Sequence, residues 1–387
     1  MFSPLTHAVS TILFKGVDGP IHCMVEDSDY TKFVCARCAI FSISPDGKTT
    51  TMLTGNEAYC GFRDGECGDC AFMAPAAMVI DKRNKCLYLC DYANHALRRV
   101  HLLSGAMETI VGNGLPGYRD GVGQQAFLHY PKGMVMDGEG VIFVADSMNH
   151  CIRRVEVEFP STQAKVSTVQ IANGKPELSL GGFKFPMGMA LDHAGAIIVA
   201  DCGNNNIKKV SMHEGVYTAV TLADCQDKPS EDANPVHHDS GSDQPGFLDP
   251  TDLTIDANNN IIVADTGNCL LRVISAEGIV STLAGTLPPK WHRRDDGIYF
   301  QETVDASDAS VRFNRPHNLL LDHTGLLYVC DGHGDMASSV RTVQCDLLSH
   351  WTVPWEYTTV MDDHSETPAK RNICYYLSCN SIHLSIV

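Results

Sequence analysis

The stretch VIFVADSMNHCIRRV, residues 141–155, sets an apolar run ahead of a lone aspartate, then a polar turn, then a second apolar run that carries paired arginines. Val141 to Ala145 reads as a short buried strand, Asp146 to His150 as a turn, and Cys151 to Val155 as a second strand with its basic residues partly outward. The segment is therefore a β-hairpin.

The same order recurs at residues 87–100, 197–210, 261–274 and 327–340. Its aspartates are Asp91, Asp146, Asp201, Asp265 and Asp331, separated by 55, 55, 64 and 66 residues. Ahead of each lies a proline six residues before another aspartate: Pro75 and Asp81, Pro131 and Asp137, Pro186 and Asp192, Pro250 and Asp256, Pro316 and Asp322. Further apolar runs follow at 107–112, 166–171, 217–223 and 279–285. Four short strands and then a long loop rich in Gly, Pro and Asp is the order of a propeller blade. A weaker copy precedes the five, with strands at 21–27, 32–36, 38–44 and 49–55 but without the Pro and Asp markers.

The pattern predicts an all-β, six-bladed propeller. It also predicts how the ring closes. AVSTILFKG (8–16) matches the blade-ending IVSTLAG (279–285) yet precedes the first blade, whereas the last unit supplies three strands, at 318–323, 326–331 and 339–345. Residues 8–16 are thus expected as the outermost strand of the last blade, beside 339–345, a closure that removes an open edge. The rival for that place is EYTTVMD, 356–362.

The units resemble NHL repeats, a family named for an Asn-His-Leu signature. That signature stands here at Asn94 to Ala96, Asn149 to Cys151, Asn205 to Ile207 and Asn268 to Leu270, and is unrecognisable in the 327–340 unit. The linkers GFRDGECGDCAFMAP (61–75) and GYRDGVGQQAFLHYP (117–131) also resemble those of multi-repeat NHL proteins. The likeness covers residues 21 to 345 and implies a single six-bladed NHL-type β-propeller over 1–362, with blade one degenerate (21–55) and a tail, 363–387, outside the repeats. It is specific to the fold and much less so to activity, because such propellers serve as binding platforms, as lyases and as relatives of lactonases.

Charge narrows the partners. Among 387 residues, 46 acidic against 29 basic side chains give a net charge of −17, spread along the chain rather than gathered in a tail. Diffuse negative charge repels phosphate backbones and anionic membranes, which argues against RNA as a partner. No run approaches the roughly 20 apolar residues that span a bilayer. The first residues, MFSPLTHAVSTILFKG, lack the basic start and apolar core of a signal peptide. The expectation is a soluble cytoplasmic protein.

Sixteen cysteines bear on that expectation. Many, such as Cys86, Cys90, Cys151 and Cys330, fall inside strand patterns, where a thiol behaves as a small buried hydrophobe. Two pairs have ligand spacing, Cys35 with Cys38 and Cys67 with Cys70, and four thiolates so spaced are able to close a tetrahedral zinc site. The strand turn at Cys35–Cys38 leaves little room for a zinc knuckle, so buried or incidental thiols are the weightier reading.

Repetition decides how the aspartates are read. Chemistry needs a few unlike groups at one spot, whereas architecture needs the same group in every unit. Asp91, Asp146, Asp201, Asp265 and Asp331 are therefore assigned to capping their turns, with Arg98, Arg153, Lys208 and Arg272 as partners on the adjacent strand. An active site must rest on residues that break the template. After the marker prolines these are Lys132, Asp252, His317 and Asn318, near the channel mouth, where Asp252 with Asn318 and His317 is the candidate divalent-cation or acid–base cluster. The opposite side of that ring offers only alanine, methionine and glycine. The sequence reading is consequently an interaction platform that binds a protein through one face and its long loops, of which 223–250 and 285–316 are about twice the length of 171–186. No cofactor is required by it. A lactonase-like hydrolase or amidating-lyase-like enzyme with a divalent metal is the alternative.

Overall fold

The computed structural model describes residues 8–172, 182–224, 246–286, 292–293, 299–300, 303–306, 310–332, 339–344, 375–378 and 381–384. Six antiparallel sheets, each of four strands running in order from the axis outward, make six blades. Their innermost strands are Ile21–Glu26, Pro75–Asp81, Pro131–Met136, Pro186–Leu191, Pro250–Ile255 and Pro316–Leu321. Each packs against the next, and the last against the first, so the ring is closed. Blade three gains a fifth strand, Gly121–Val122, from its linker.

The second strand of a blade, such as Ile142–Asp146 or Cys86–Asp91, is buried throughout. Neighbouring blades cover both of its faces, which is why it reads as an unbroken apolar run rather than an alternating one. The core is accordingly divided into wedges between blades. One holds Tyr88, Leu97 and Ile110 of blade two against Met134, Val144 and Val166 of blade three.

Because Pro131 pairs with Asp146 and Asp146 with Cys151, the start of the inner strand and the turn between strands two and three lie at the same end of the blade. The outer strand ends there too, with Thr168 opposite Arg153, so the linkers between blades share that face. It is called the linker face below. The turns after the inner and third strands lie on the opposite face.

Blade one is more regular than its sequence suggests. Ile21 pairs with Ala36 as Pro75 pairs with Asp91, and Asp27 follows Ile21 by six residues as Asp81 follows Pro75. The Asp marker thought missing is present, and Ile21 stands where the proline would be.

Closure uses the N-terminal segment. Val9–Ile12 pairs antiparallel with Ser339–Gln344, Val9 opposite Val343, as the outermost strand of blade six. The strand is shorter than the 8–16 expected. Its edge is tied further by Val9 N–H to Ala306 O (2.8 Å) and Gln344 N–H to Ala8 O (3.2 Å). The rival segment 356–362 and the loop 225–245 lie outside the described residues. In the tail, Tyr375–Ser378 pairs with Ser381–Leu384 in a ladder separate from the blades.

Val9 is buried in the wedge between blades five and six. Val9→Asp is expected to cost at least about 2 kcal/mol, because it sets a carboxylate among apolar side chains at the ring's seam. Urea denaturation checks this, and an unchanged midpoint would show that closure does not rest on this strand.

Candidate functional site on the linker face

Each repeated aspartate sits fully buried at the end of a second strand and gathers donors from three segments. Asp91 Oδ1 accepts Met73 N–H (2.8 Å) and Asn94 Nδ2 (2.8 Å), while Oδ2 accepts the Arg98 guanidinium (2.7 Å). Asp146 repeats this with His129 N–H (2.7 Å), Asn149 (2.8 Å) and Arg153 (2.7 Å). Asp201 takes Lys184 N–H, Asn204 and Lys208, and Asp265 takes Leu248 N–H, Asn268 and Arg272. Asp331 takes Asn314 N–H (2.7 Å) and Arg341 (3.1 Å).

The arginine carries the knot onward. Arg153 also donates to Phe127 O (3.0 Å), Arg119 O (2.9 Å) and Asp120 (2.7 Å), and its guanidinium lies 5.2 Å from the Tyr118 ring centroid. Arg98 does the same with Ala71 O, Arg63 O, Asp64 and the Phe62 ring. A linker is thereby fastened to the blade it enters.

These partners differ from the expected ones in one respect. The backbone donor comes from the linker 17 or 18 residues upstream, and the short 3-10 turn after each of Asp91, Asp146, Asp201 and Asp265 receives no side-chain cap. Turn capping belongs to the other aspartate of the unit. Asp137 Oδ1 accepts Glu139 and Val141 N–H (both 2.9 Å), and Asp192, Asp256 and Asp322 behave alike on the opposite face. Arg341 was missed from the sequence because it stands ten residues after its aspartate rather than seven.

At the channel mouth the structure joins two of the four candidates. Asn318 Nδ2 donates to Asp252 Oδ2 (3.2 Å), which also accepts Leu319 N–H (2.8 Å), and Asn318 Oδ1 accepts Met24 N–H (3.1 Å). The chain Asp252–Asn318–Met24 links the inner strands of blades five, six and one. Although Asp252 keeps some surface open, the protein mass around it raises its carboxyl to about 7, against the pull of the Leu319 and Leu253 N–H groups. His317 instead faces Arg315 O (3.3 Å). Lys132 lies in blade three, its ammonium 4.1 Å from the Tyr92 ring centroid, and burial lowers its amine. From the inner strand of the adjacent blade four, Gly188 packs so closely that a Cβ there would stand 2.1 Å from Asp252 Oδ1. Bonding between blades, rather than an open coordination shell, occupies these groups.

The four cysteines of the CxxC pairs are not brought around one point. Cys38 forms a disulfide with Cys60, Cys35 and Cys70 are buried free thiols, and Cys67 is an exposed one. Among the described residues the grouping with metal-ligand character is Glu26, Asp322 and His323 on the opposite face. Lys32 already sits in it, 2.8 Å from Glu26 and 3.3 Å from Asp322, so it is an ion-pair cluster.

The NHL repeat family matches residues 247–274, from the linker aromatic through the third strand of blade five. The human NHL repeat-containing protein 2 is 22% identical over 299 residues, 71% of this chain and 40% of that protein. Protein SUPPRESSOR OF QUENCHING 1, chloroplastic, of Arabidopsis thaliana is 24% identical over 326 residues, 61% of this chain and 28% of that protein. This chain is an NHL-repeat protein. It spans less than half the length of these curated relatives. Solved propellers share its fold at low identity. A streptogramin B lyase has a TM-score of 0.52 at 10% identity, covering 89% of this chain and 99% of its own. A gluconolactonase from Xanthomonas campestris has 0.53 at 12%, covering 87% and 89%.

In this NHL protein the signature has a physical meaning. Its first residue, Asn94, Asn149 or Asn204, binds the knot aspartate and a linker carbonyl at Gly61, Gly117 or Gly182. The second stands in left-handed backbone and reaches the next blade: His95 Nδ1 accepts Tyr130 N–H (3.1 Å), His150 Nδ1 accepts Phe185 N–H (3.1 Å), and Asn205 Oδ1 accepts Asp249 N–H (2.9 Å). In blade four the signature thus reads Asn204-Asn205-Asn206, one residue earlier than the Asn205 to Ile207 assigned from the sequence, and three residues after its aspartate as in the other blades. Acceptance at Nδ1 requires neutral imidazole, and burial, with His129 adding repulsion, lowers the His95 pKa.

Two consequences of the NHL geometry are measurable. Asp146→Ala leaves the fully buried Arg153 without its fully buried partner and is expected to cost about 3–5 kcal/mol in urea denaturation. A loss under about 1 kcal/mol would remove the knot from the list of structural determinants. The second consequence concerns pH. Asp252 titrates near 7 folded but near 3.8 unfolded, so the unfolded chain loses its proton first and stability falls as pH rises between those values. Asp252→Asn is expected to melt higher than the parent at pH 8 and to approach it below pH 5, and a pH-independent difference would contradict the assignment.

Proposed function

We propose that the linker face of this propeller is a docking platform for a protein partner. The observation that carries the reading is a group of exposed aromatic and apolar side chains on that face over blades one to three: Tyr59, Phe62, Met73, Leu115, Tyr118 and Met148. Phe62 and Tyr118 are held by stacking on the buried Arg98 and Arg153. Their orientation is fixed in advance, so less side-chain freedom is lost when a partner covers them. Gly114 lies against the Phe62 ring, which sets the first two linkers side by side. Rigid aromatic anchors among polar linkers are the composition of a protein interface. The charge of −17 favours a partner whose contact surface is neutral or basic, and disfavours RNA.

A hydrolase or lyase reading has one observation in its favour, the Asp252 carboxyl near 7, a range suited to proton transfer. Against it stand the bonds that Asp252 and Asn318 make between blades. Likeness to lyase and lactonase propellers speaks to fold alone.

The platform is tested by affinity capture with the double variant Tyr59→Asp, Leu115→Asp and with Leu103→Asp, a 93% exposed residue on the opposite face. The double variant should lose captured partner by at least about ten-fold with an unchanged melting temperature, since charges replace anchors that touch no core. Equal loss in Leu103→Asp, or none in either variant, would refute the assignment of the face.

A further inference from the structure

We propose that Cys67 and Cys70 form a redox-active dithiol that exchanges with disulfides of low-molecular-weight thiols. The two cysteines stand on a closed turn in the first linker. Asp69 N–H and Cys70 N–H both bond Glu66 O, at 3.0 and 3.1 Å, and Gly68 supplies the left-handed residue (φ +87°) that the turn needs. Two intervening residues on such a turn bring the sulfurs within reach of one another. Cys67 is exposed and Cys70 is buried, both as free thiols. One sulfur is open to an incoming disulfide, and the other is shielded from it.

The buried sulfur has a built environment. Cys70 Sγ accepts Gly55 N–H at 3.2 Å and lies 3.0 Å from Thr54 Oγ1. Thr54 donates its own hydroxyl proton to Gly105 O (2.6 Å), so in the thiol form the Cys70 S–H donates to Thr54. The Gly55 N–H remains aimed at the sulfur that must act as resolving group.

The same corner holds a cystine. Cys38 and Cys60 are joined with Cα atoms 5.3 Å apart. Asn56 ties the two cysteine sites together, its N–H bonding Cys38 O and its Nδ2 bonding Gly68 O, both at 3.0 Å. Gly55, which serves Cys70, is pressed so close that a Cβ would stand 2.3 Å from Cys38 O. With Cys38 held in that disulfide, Cys35, Cys38, Cys67 and Cys70 do not offer four free thiolates to a zinc ion, and dithiol chemistry accounts for a motif that the docking surface leaves unused.

The steps balance. The Cys67 thiolate attacks a sulfur of RS–SR, forming Cys67–S–S–R and releasing one RS⁻. The Cys70 thiolate then attacks Cys67 Sγ, forming the Cys67–Cys70 disulfide and releasing the second RS⁻. Two protons leave the protein thiols, and the small disulfide is reduced to two thiols. Partial desolvation by the surrounding linker, and the neighbouring Cys70, raise the Cys67 thiol, so the first step accelerates as pH increases.

The test uses the full chain with oxidised glutathione at pH 8, acid quench, alkylation and disulfide mapping by mass spectrometry without reduction. The parent should acquire a Cys67–Cys70 disulfide and keep Cys38–Cys60. Cys70→Ser should instead accumulate a stable glutathione adduct on Cys67, and Cys67→Ser should form neither product. A glutathione adduct on Cys67 that persists in the parent as it does in Cys70→Ser would overturn the proposal, as would the absence of any Cys67–Cys70 disulfide. Should Cys70→Ser not fold, the map of the parent decides alone.

Discussion

A buried carboxylate, set at the end of the second strand in blades two to six, is the constraint around which those five blades are organised. Removing such a charge from water is costly, and attraction to one guanidinium does not repay that cost unless every oxygen is satisfied. Asp265 and Asp331 show the balance directly: burial raises both carboxyls to about 6 in spite of Arg272 and Arg341 beside them. The knot is therefore better understood as a specification than as a source of net stability. Only one arrangement of linker, turn and third strand brings an upstream N–H, an asparagine and a cation to the same carboxylate. Any slip in register would strand a buried charge.

Blade one shows what replaces the knot. In the register of its strands Ala36 stands where Asp91 does, and Phe41 where Arg98 does. The site has become apolar, and no charge needs satisfaction. The tie between turn and following linker, made elsewhere by His95, His150 or Asn205, is here the Cys38–Cys60 bond. Blade one and the first linker thus depend on sulfur where the others depend on hydrogen bonds, and the CxxC turn lies in that same linker.

The knots also explain why one face is suited to binding. Propeller linkers carry recognition, yet a loose loop loses entropy when it is covered. Here Arg98 and Arg153 hold linker carbonyls, linker carboxylates and an aromatic ring together. The face combines loop variability with the rigidity of the blades below it.

The amino-acid sequence alone determined the number of blades, the run of their strands and the closure of blade six by the N-terminal segment. These follow from apolar period and repeat spacing, which are local properties of the chain. It also pointed to Arg98, Arg153, Lys208 and Arg272 as partners of the aspartates, because a cation seven residues along a hairpin faces back across it. What it did not reveal was that Met73 or His129 supplies the backbone donor, that the asparagine run of blade four is read from Asn204, or that Asn318 bridges Asp252 and Met24. Nor did spacing show that Cys38 bonds Cys60 rather than a zinc ion. Each of those is a buried polar or sulfur atom finding its partner across a linker or a blade boundary. Such partners are chosen by where the folded ring leaves a group unsatisfied, and that is decided only when all six blades are in place.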